Sequence, residues 1–225
     1  MKDVKDRVTL VTGAASGMGR ATALLFADEG ARLGLLDIDE ENLDMVAGEI
    51  HAAGGEVYTR ATDLSDRGAV VDAVSSVAEH FDALDILVNN AAIIKRVPIL
   101  EMKAEDFRKI VDVNLTGQFI MAKTLARGMK ERGHGKIINI CSMMSELGRD
   151  TVSAYAAAKG GLKMLTRNMA TEWARYNIQA NGIGPGYFAT EQTAAIRKEG
   201  HPLHEFIINR TPAGRWGNPE DLGGT

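Results

Sequence analysis

Cysteine is almost missing from this chain of 225 residues, with Cys141 alone. A single thiol rules out an internal disulfide, so stability has to come from a packed core, and a reducing compartment is the expected setting. Proline is scarce too, at five residues, and no proline-rich linker, repeat or low-complexity run divides the sequence. No apolar stretch reaches the roughly 18 residues that a membrane-crossing helix needs. The opening Met1-Lys2-Asp3-Val4-Lys5-Asp6-Arg7 passes straight into a strand-like run, so we expect a soluble, cytoplasmic protein with no membrane partner. The net charge is only −4, and Lys and Arg are scattered, which excludes the basic stripe of a nucleic-acid binder. Five histidines occur without an HExxH or Cys/His ligand spacing, so no metal is expected. His201 and His204, close in sequence, are read as exposed residues of a loop.

What the chain does have is enough apolar material, 45% of residues, to bury one core over 1–225. Short β-rich runs at Arg7–Thr12, Arg32–Asp37, Glu56–Thr62, Leu84–Asn89, Lys136–Ser142 and Ile178–Gly184 alternate with helix-length segments, the pattern of a βαβ series. Runs such as Ile86-Leu87-Val88 are apolar on both faces, as in a parallel sheet covered on both sides by helices. The expected fold is α/β, a single-domain Rossmann-type doubly wound parallel sheet. Residues 185–215 read as a long loop with a helical insert, placed to cover a site as a substrate lid.

Thr12-Gly13-Ala14-Ala15-Ser16-Gly17-Met18-Gly19 lies between the first strand and the first helix. Glycines there let backbone approach a pyrophosphate at a helix N-terminus. A strand before, a helix after and an acid closing the next strand are the context a dinucleotide requires. That acid is Asp37, suited to a ribose hydroxyl and repelling a 2′-phosphate, which favours NAD, with NADP possible through Arg20, Arg32 or Arg60. Asp63 and Leu64, and Asn89-Asn90-Ala91-Ala92, stand at two further strand ends, where ligands of open sheets collect.

Tyr155 and Lys159 are four apart on a helix and share a face. A nearby ammonium favours the phenolate of a tyrosine whose free pKa is about 10. Ser142, ending an apolar strand, is placed to hydrogen-bond a substrate oxygen while Tyr155 exchanges a proton with it. Cys141 beside it reads as a buried strand thiol rather than a nucleophile.

Together these residues resemble the short-chain dehydrogenase/reductase family from about Lys5 to Leu222. The Thr-Gly-x-x-x-Gly-x-Gly turn falls on Thr12, Gly13, Gly17 and Gly19, the Asn-Asn-Ala motif on Asn89 to Ala91, and Tyr-x-x-x-Lys on Tyr155 and Lys159. The resemblance implies a catalytic tetrad. Tyr155 would be the acid/base, Lys159 would bind ribose and lower the tyrosine pKa, Ser142 would polarise the carbonyl, and Asn114 would hold a relay water. It also implies that Gly13, Ser16, Gly17, Met18, Gly19, Asp37, Asp63, Leu64, Asn90, Ala91, Tyr155, Lys159, Pro185, Gly186 and Thr190 hold the cofactor. Met18 and Ala92 depart from the usual isoleucine and glycine. The family's last strand is expected to be missing after Leu222, and with it the contacts of the usual homo-oligomer, a tetramer.

Four stretches resemble members of the family that interconvert D-gluconate and its 5-keto form: Ile140 to Thr151, Ile93 to Pro98, Gly182 to Glu191 and Arg210 to Gly217. The implied partner is a small-molecule sugar acid, its carboxylate met by Arg96 or Arg149. Ser142, Met143, Tyr155 and Tyr187 are also expected at the substrate, and Glu146 or Glu191 at its hydroxyls. Another polyol, sugar or 3-oxoacyl substrate, and a catalytically silent dinucleotide-binding regulator, are the alternatives.

Overall fold

The computed structural model describes residues 4–224. Among them, six parallel strands form one sheet in the order β3-β2-β1-β4-β5-β6. The strands are β1 (Val8–Thr12), β2 (Arg32–Asp37), β3 (Val57–Ala61), β4 (Ile86–Asn89), β5 (Gly135–Ile140) and β6 (Ile178–Ile183). Each expected strand is present, several a residue or two shorter at the ends. β4, for example, begins after Asp85, whose carboxylate accepts the Val8 N–H at 3.1 Å.

Alternation along the strands explains their apolar character. Leu10, Leu36, Leu87 and Ile137 point to one face, against Val70, Val74 and Val77 of α3 (Arg67–Phe81) and Met121, Leu125 and Met129 of α5 (Gln118–Arg132). Val11, Leu33, Leu35, Ile86 and Val88 point to the other, where Ala23 of α1 (Gly17–Asp28) and Leu43, Val46 and Ile50 of α2 (Glu40–Ala52) cover them. Parallel strands need crossovers and the crossovers are helices, so both faces of the central strands are covered, while β3 and β6 at the edges keep exposed residues such as Ala61 and Gln179.

The chain order reverses between β1 and β4, which opens a crevice at the carboxyl ends of these strands. On the far side, α4 (Ala104–Val111) runs into a wide π-turn, Asp112–Gly117, before α5. The turn packs tightly on the end of β3, since a side chain at Gly117 would meet the Leu64 carbonyl oxygen at 2.3 Å. α6 (Ser153–Trp173) lies against β5 and β6. Beyond β6, a short 3₁₀ turn (Glu191–Arg197) and α7 (Pro202–Arg210) form a separate cluster around Ile196, Ile207 and Trp216. No helix among the described residues is long and apolar enough to cross a membrane.

Candidate active site

A cleft of ≈ 410 Å³ opens at the switch point, lined from the β1–α1 turn, the ends of β2 to β5, the start of α6 and the segment after β6. At its floor the turn is built on two glycines that nothing else can replace. Gly13 has φ +66°, and a side chain there would reach the Ala91 Cα at 2.7 Å; at Gly19 it would meet the Gly13 carbonyl oxygen at 1.9 Å. Asn90 locks this turn, its Nδ2 donating to the carbonyls of Thr12 (3.0 Å) and Gly13 (3.1 Å). The Thr12 hydroxyl accepts from the backbone N–H of Asn90 and Ala91 in return.

Ser16 occupies the N-cap of α1 but makes no side-chain cap bond, so the first N–H groups of that helix face the cleft without a side-chain partner. Such a terminus fits a pyrophosphate. Asp37 also lines the cleft, its carboxylate accepting from Ala15 N at 3.0 Å and Asp39 N at 3.1 Å. The three cations that offered an NADP route are engaged elsewhere. Arg20 pairs with Glu49 and Arg32 with Glu56, while Arg60 donates to Ser76 and the Asp72 carbonyl. Asp63 and Leu64 line the next stretch, the Asp63 carboxylate held below its usual range by the N–H and hydroxyl of Ser65.

Ser142, Tyr155 and Lys159 meet at the inner end. Ser142 sits just beyond β5 and is fixed by Ser145, whose hydroxyl accepts from Ser142 N (3.2 Å) and donates to the Lys159 carbonyl (2.9 Å). This capping box ties the strand end to α6, and the Ser-x-x-Ser spacing is the sequence signal that would have found Ser145. Lys159 is 1% exposed and donates to the Ile140 carbonyl at 2.5 Å. Burial pulls its pKa down to about 8, with Cys141 opposing. The Tyr155 pKa is raised, chiefly by burial, and the Ser142 hydroxyl and the Arg96 charge act against that rise. The Arg96 charge eases ionisation of Tyr155, while the Lys159 ammonium lies 6.0 Å from the phenol ring centre and donates to a carbonyl. Cys141 is buried and its thiol pKa is raised by that burial, as a core residue requires.

Pro185, Gly186, Tyr187 and Thr190 also line the cleft, with Thr190 against Gly17, as do Met143, Arg96, Arg149 and Glu191. Three expected residues stand outside the lining. Glu146 is ion-paired with Lys163 on α6. Gly19 lies under the turn. Asn114 is fully buried and spends both ends of its amide on Ile93, accepting from its N–H and donating to its carbonyl, each at 2.8 Å. Lys95 is paired with Asp106, and His204 is half-buried against Trp216 rather than exposed, because its Nδ1 accepts the indole N–H at 3.3 Å.

The matching family model is that of short chain dehydrogenases, and it spans residues 7–201. The chain belongs to the short-chain dehydrogenase family. It is 52% identical over 223 residues to a 2-dehydro-3-deoxy-D-gluconate 5-dehydrogenase of Formosa agariphila, a match covering 99% of this chain and 84% of that one. A gluconate 5-dehydrogenase of Gluconobacter oxydans is 40% identical, with 96% and 84% covered. A crystal structure of a gluconate 5-dehydrogenase from Burkholderia cenocepacia, in complex with NADP and tartrate, superposes with a TM-score of 0.92 at 41% identity, covering 98% of this chain and 86% of that one. The chain is accordingly an NAD(P)-dependent oxidoreductase.

Proposed function

We propose that the protein interconverts the C5 alcohol and ketone of a six-carbon sugar acid, with D-gluconate and 5-keto-D-gluconate as the pair and NAD as the preferred cofactor. The observation that carries the reading is that Ser142, Tyr155 and Lys159 line one cleft together with Arg96 and Arg149, the Arg96 charge acting on Tyr155. A bound nicotinamide supplies the acceptor for the hydride leaving C5. The residues do the rest. Ser142 donates a hydrogen bond to the C5 oxygen, and Tyr155 takes the hydroxyl proton in oxidation and returns it in reduction. Lys159, buried and cationic below about pH 8, is suited to a ribose hydroxyl and carries positive charge into the site. Any relay water served by Asn114 is held by its main chain in the π-turn, since its amide is spent on Ile93.

The cofactor preference rests on Asp37 and on the absence, among the described residues, of a free guanidinium near it, Arg20, Arg32 and Arg60 all being engaged. The Arg96 and Arg149 guanidiniums in the cleft suit a C1 carboxylate. A second reading, 2-dehydro-3-deoxy-D-gluconate, is favoured by the 52% identical relative and keeps the same carboxylate and the same C5 hydroxyl. Comparing kcat/KM for the two acids, with NAD and with NADP, separates them: the reading expects gluconate to be preferred, and a large preference for the 2-keto-3-deoxy acid would replace it.

A further inference from the structure

The segment after β6 has a core of its own. Ile196, Ile207 and Trp216 bury one another, with Tyr187 and Leu203 against them, apart from both clusters of the sheet. Its two ends are stitched together by main chain: Gly217 N donates to the Tyr187 carbonyl at 2.9 Å and Ala189 N to the Gly217 carbonyl at 2.7 Å. Tyr187 is thus fixed relative to Trp216, which it meets edge-on with ring centres 5.8 Å apart. His204 also packs against that indole and accepts its N–H.

A side-chain hydrogen bond also ties this unit to the cleft. Arg149, on the connection between β5 and α6, donates Nη1 to the Tyr187 hydroxyl at 2.7 Å, and its guanidinium lies 5.7 Å from the same ring centre. Burial and the nearby Arg149 charge both lower the Arg96 pKa, and among the described residues neither arginine forms an ion pair with a carboxylate. Arg149 has five N–H donors and gives one to Tyr187, so the rest of its fork is free for a planar anion.

We propose that Tyr187 is a positioning residue for carboxylate recognition, holding the Arg149 fork from the lid so that seating the lid and binding the acid end of the substrate are one event. The inference rests on the sugar-acid reading and deepens it. Specificity for an acid over a neutral polyol then lies in the Arg149–Tyr187 bond, not in the tetrad. The phenol supplies only an acceptor, yet among the described residues the Arg149 guanidinium has no other hydrogen-bond partner to fix its plane, and a bidentate pair depends on that plane.

The test is Tyr187→Phe, which keeps the ring against Trp216, beside Arg149→Lys, which keeps the charge and loses the fork. Both are made in a Trp173→Phe background, so that Trp216 fluorescence reports the lid. We expect Tyr187→Phe to raise KM for D-gluconate about ten-fold, more than it lowers kcat, and to cut the preference for gluconate over D-sorbitol by a similar factor. Arg149→Lys should do the same and the double variant little more. An unchanged preference, equal losses on acid and polyol, or additive effects would overturn the proposal. If wild type turns over no sugar acid, titration with D-gluconate and tartrate still decides. Binding seen in Trp216 fluorescence and weakened by Tyr187→Phe would keep the positioning role while the functional reading falls, and no binding would end both.

Discussion

Lys159 directs its ammonium at the Ile140 carbonyl, 2.5 Å away, instead of at the Tyr155 phenol one helical turn back. A fully buried ammonium held by one carbonyl is a charge retained for function at a cost to stability, and its pKa falls to about 8 for that reason.

Stability should therefore depend on pH in a defined window. Below about pH 8 both folded and unfolded chains carry the Lys159 charge, and the fold bears the whole cost of burying it. Between about 8 and the ordinary 10.5 the unfolded chain binds more protons, so stability rises with pH. The gap corresponds to roughly 3 kcal/mol over the whole window. Tyr155, with its pKa raised, works in the opposite direction only above its ordinary 10. Urea unfolding from pH 7.5 to 9.5 should show a rising midpoint in wild type and a flatter one in Lys159→Met. The variant should be at least as stable as wild type at pH 7.5 and have lost turnover.

Asp37 is expected to set the cofactor. Asp37→Asn keeps an acceptor for the backbone and removes the charge, so kcat/KM with NADP relative to NAD should rise at least ten-fold, on the order of 1.4 kcal/mol. Rates with each cofactor at limiting concentration measure the ratio, and an unchanged ratio would take Asp37 out of cofactor choice.

Gly19→Ala should fail for a steric reason, since the added carbon would lie 1.9 Å from the Gly13 carbonyl oxygen. Overpacking of this kind costs about 1–3 kcal/mol, a fall of several degrees in Tm for a chain this long, and cofactor binding should weaken with it. Gly48→Ala is the control: it lies within α2 with nothing inside 4 Å of the added carbon, and it should stabilise by about 0.5–1 kcal/mol. Thermal melts with and without cofactor check both.

The sheet was legible because a parallel strand buried on both faces leaves an unbroken apolar run, and Ile86-Leu87-Val88 and Ile137-Ile138 are such runs. The glycine turn was legible because Gly13 and Gly19 answer to local sterics. Tyr155 and Lys159 share a helix, so their spacing placed them at one cleft. The direction of Lys159 was not legible, since its partner is a carbonyl 19 residues away on β5. Nor was the pairing of Glu146 with Lys163, a rotamer choice across a loop. A buried amide network also went unread. Asn89 donates to the Gln118 carbonyl and the Asn139 amide oxygen, Asn139 to Thr166, and Gln118 to the Ala91 carbonyl. Polar side chains that buttress a site from within a core look, in sequence, like ordinary polar surface. The lid was seen as a loop but its core was not, because Ile196, Ile207 and Trp216 follow no helical or strand period.

The most direct test of hydride transfer driven by Tyr155 is the initial rate of nicotinamide reduction by D-gluconate, followed by absorbance, for wild type and Tyr155→Phe at matched cofactor saturation. The account predicts turnover in wild type and a loss of about 10²–10⁴-fold in the variant, which still binds cofactor. Equal rates in the two proteins would contradict it.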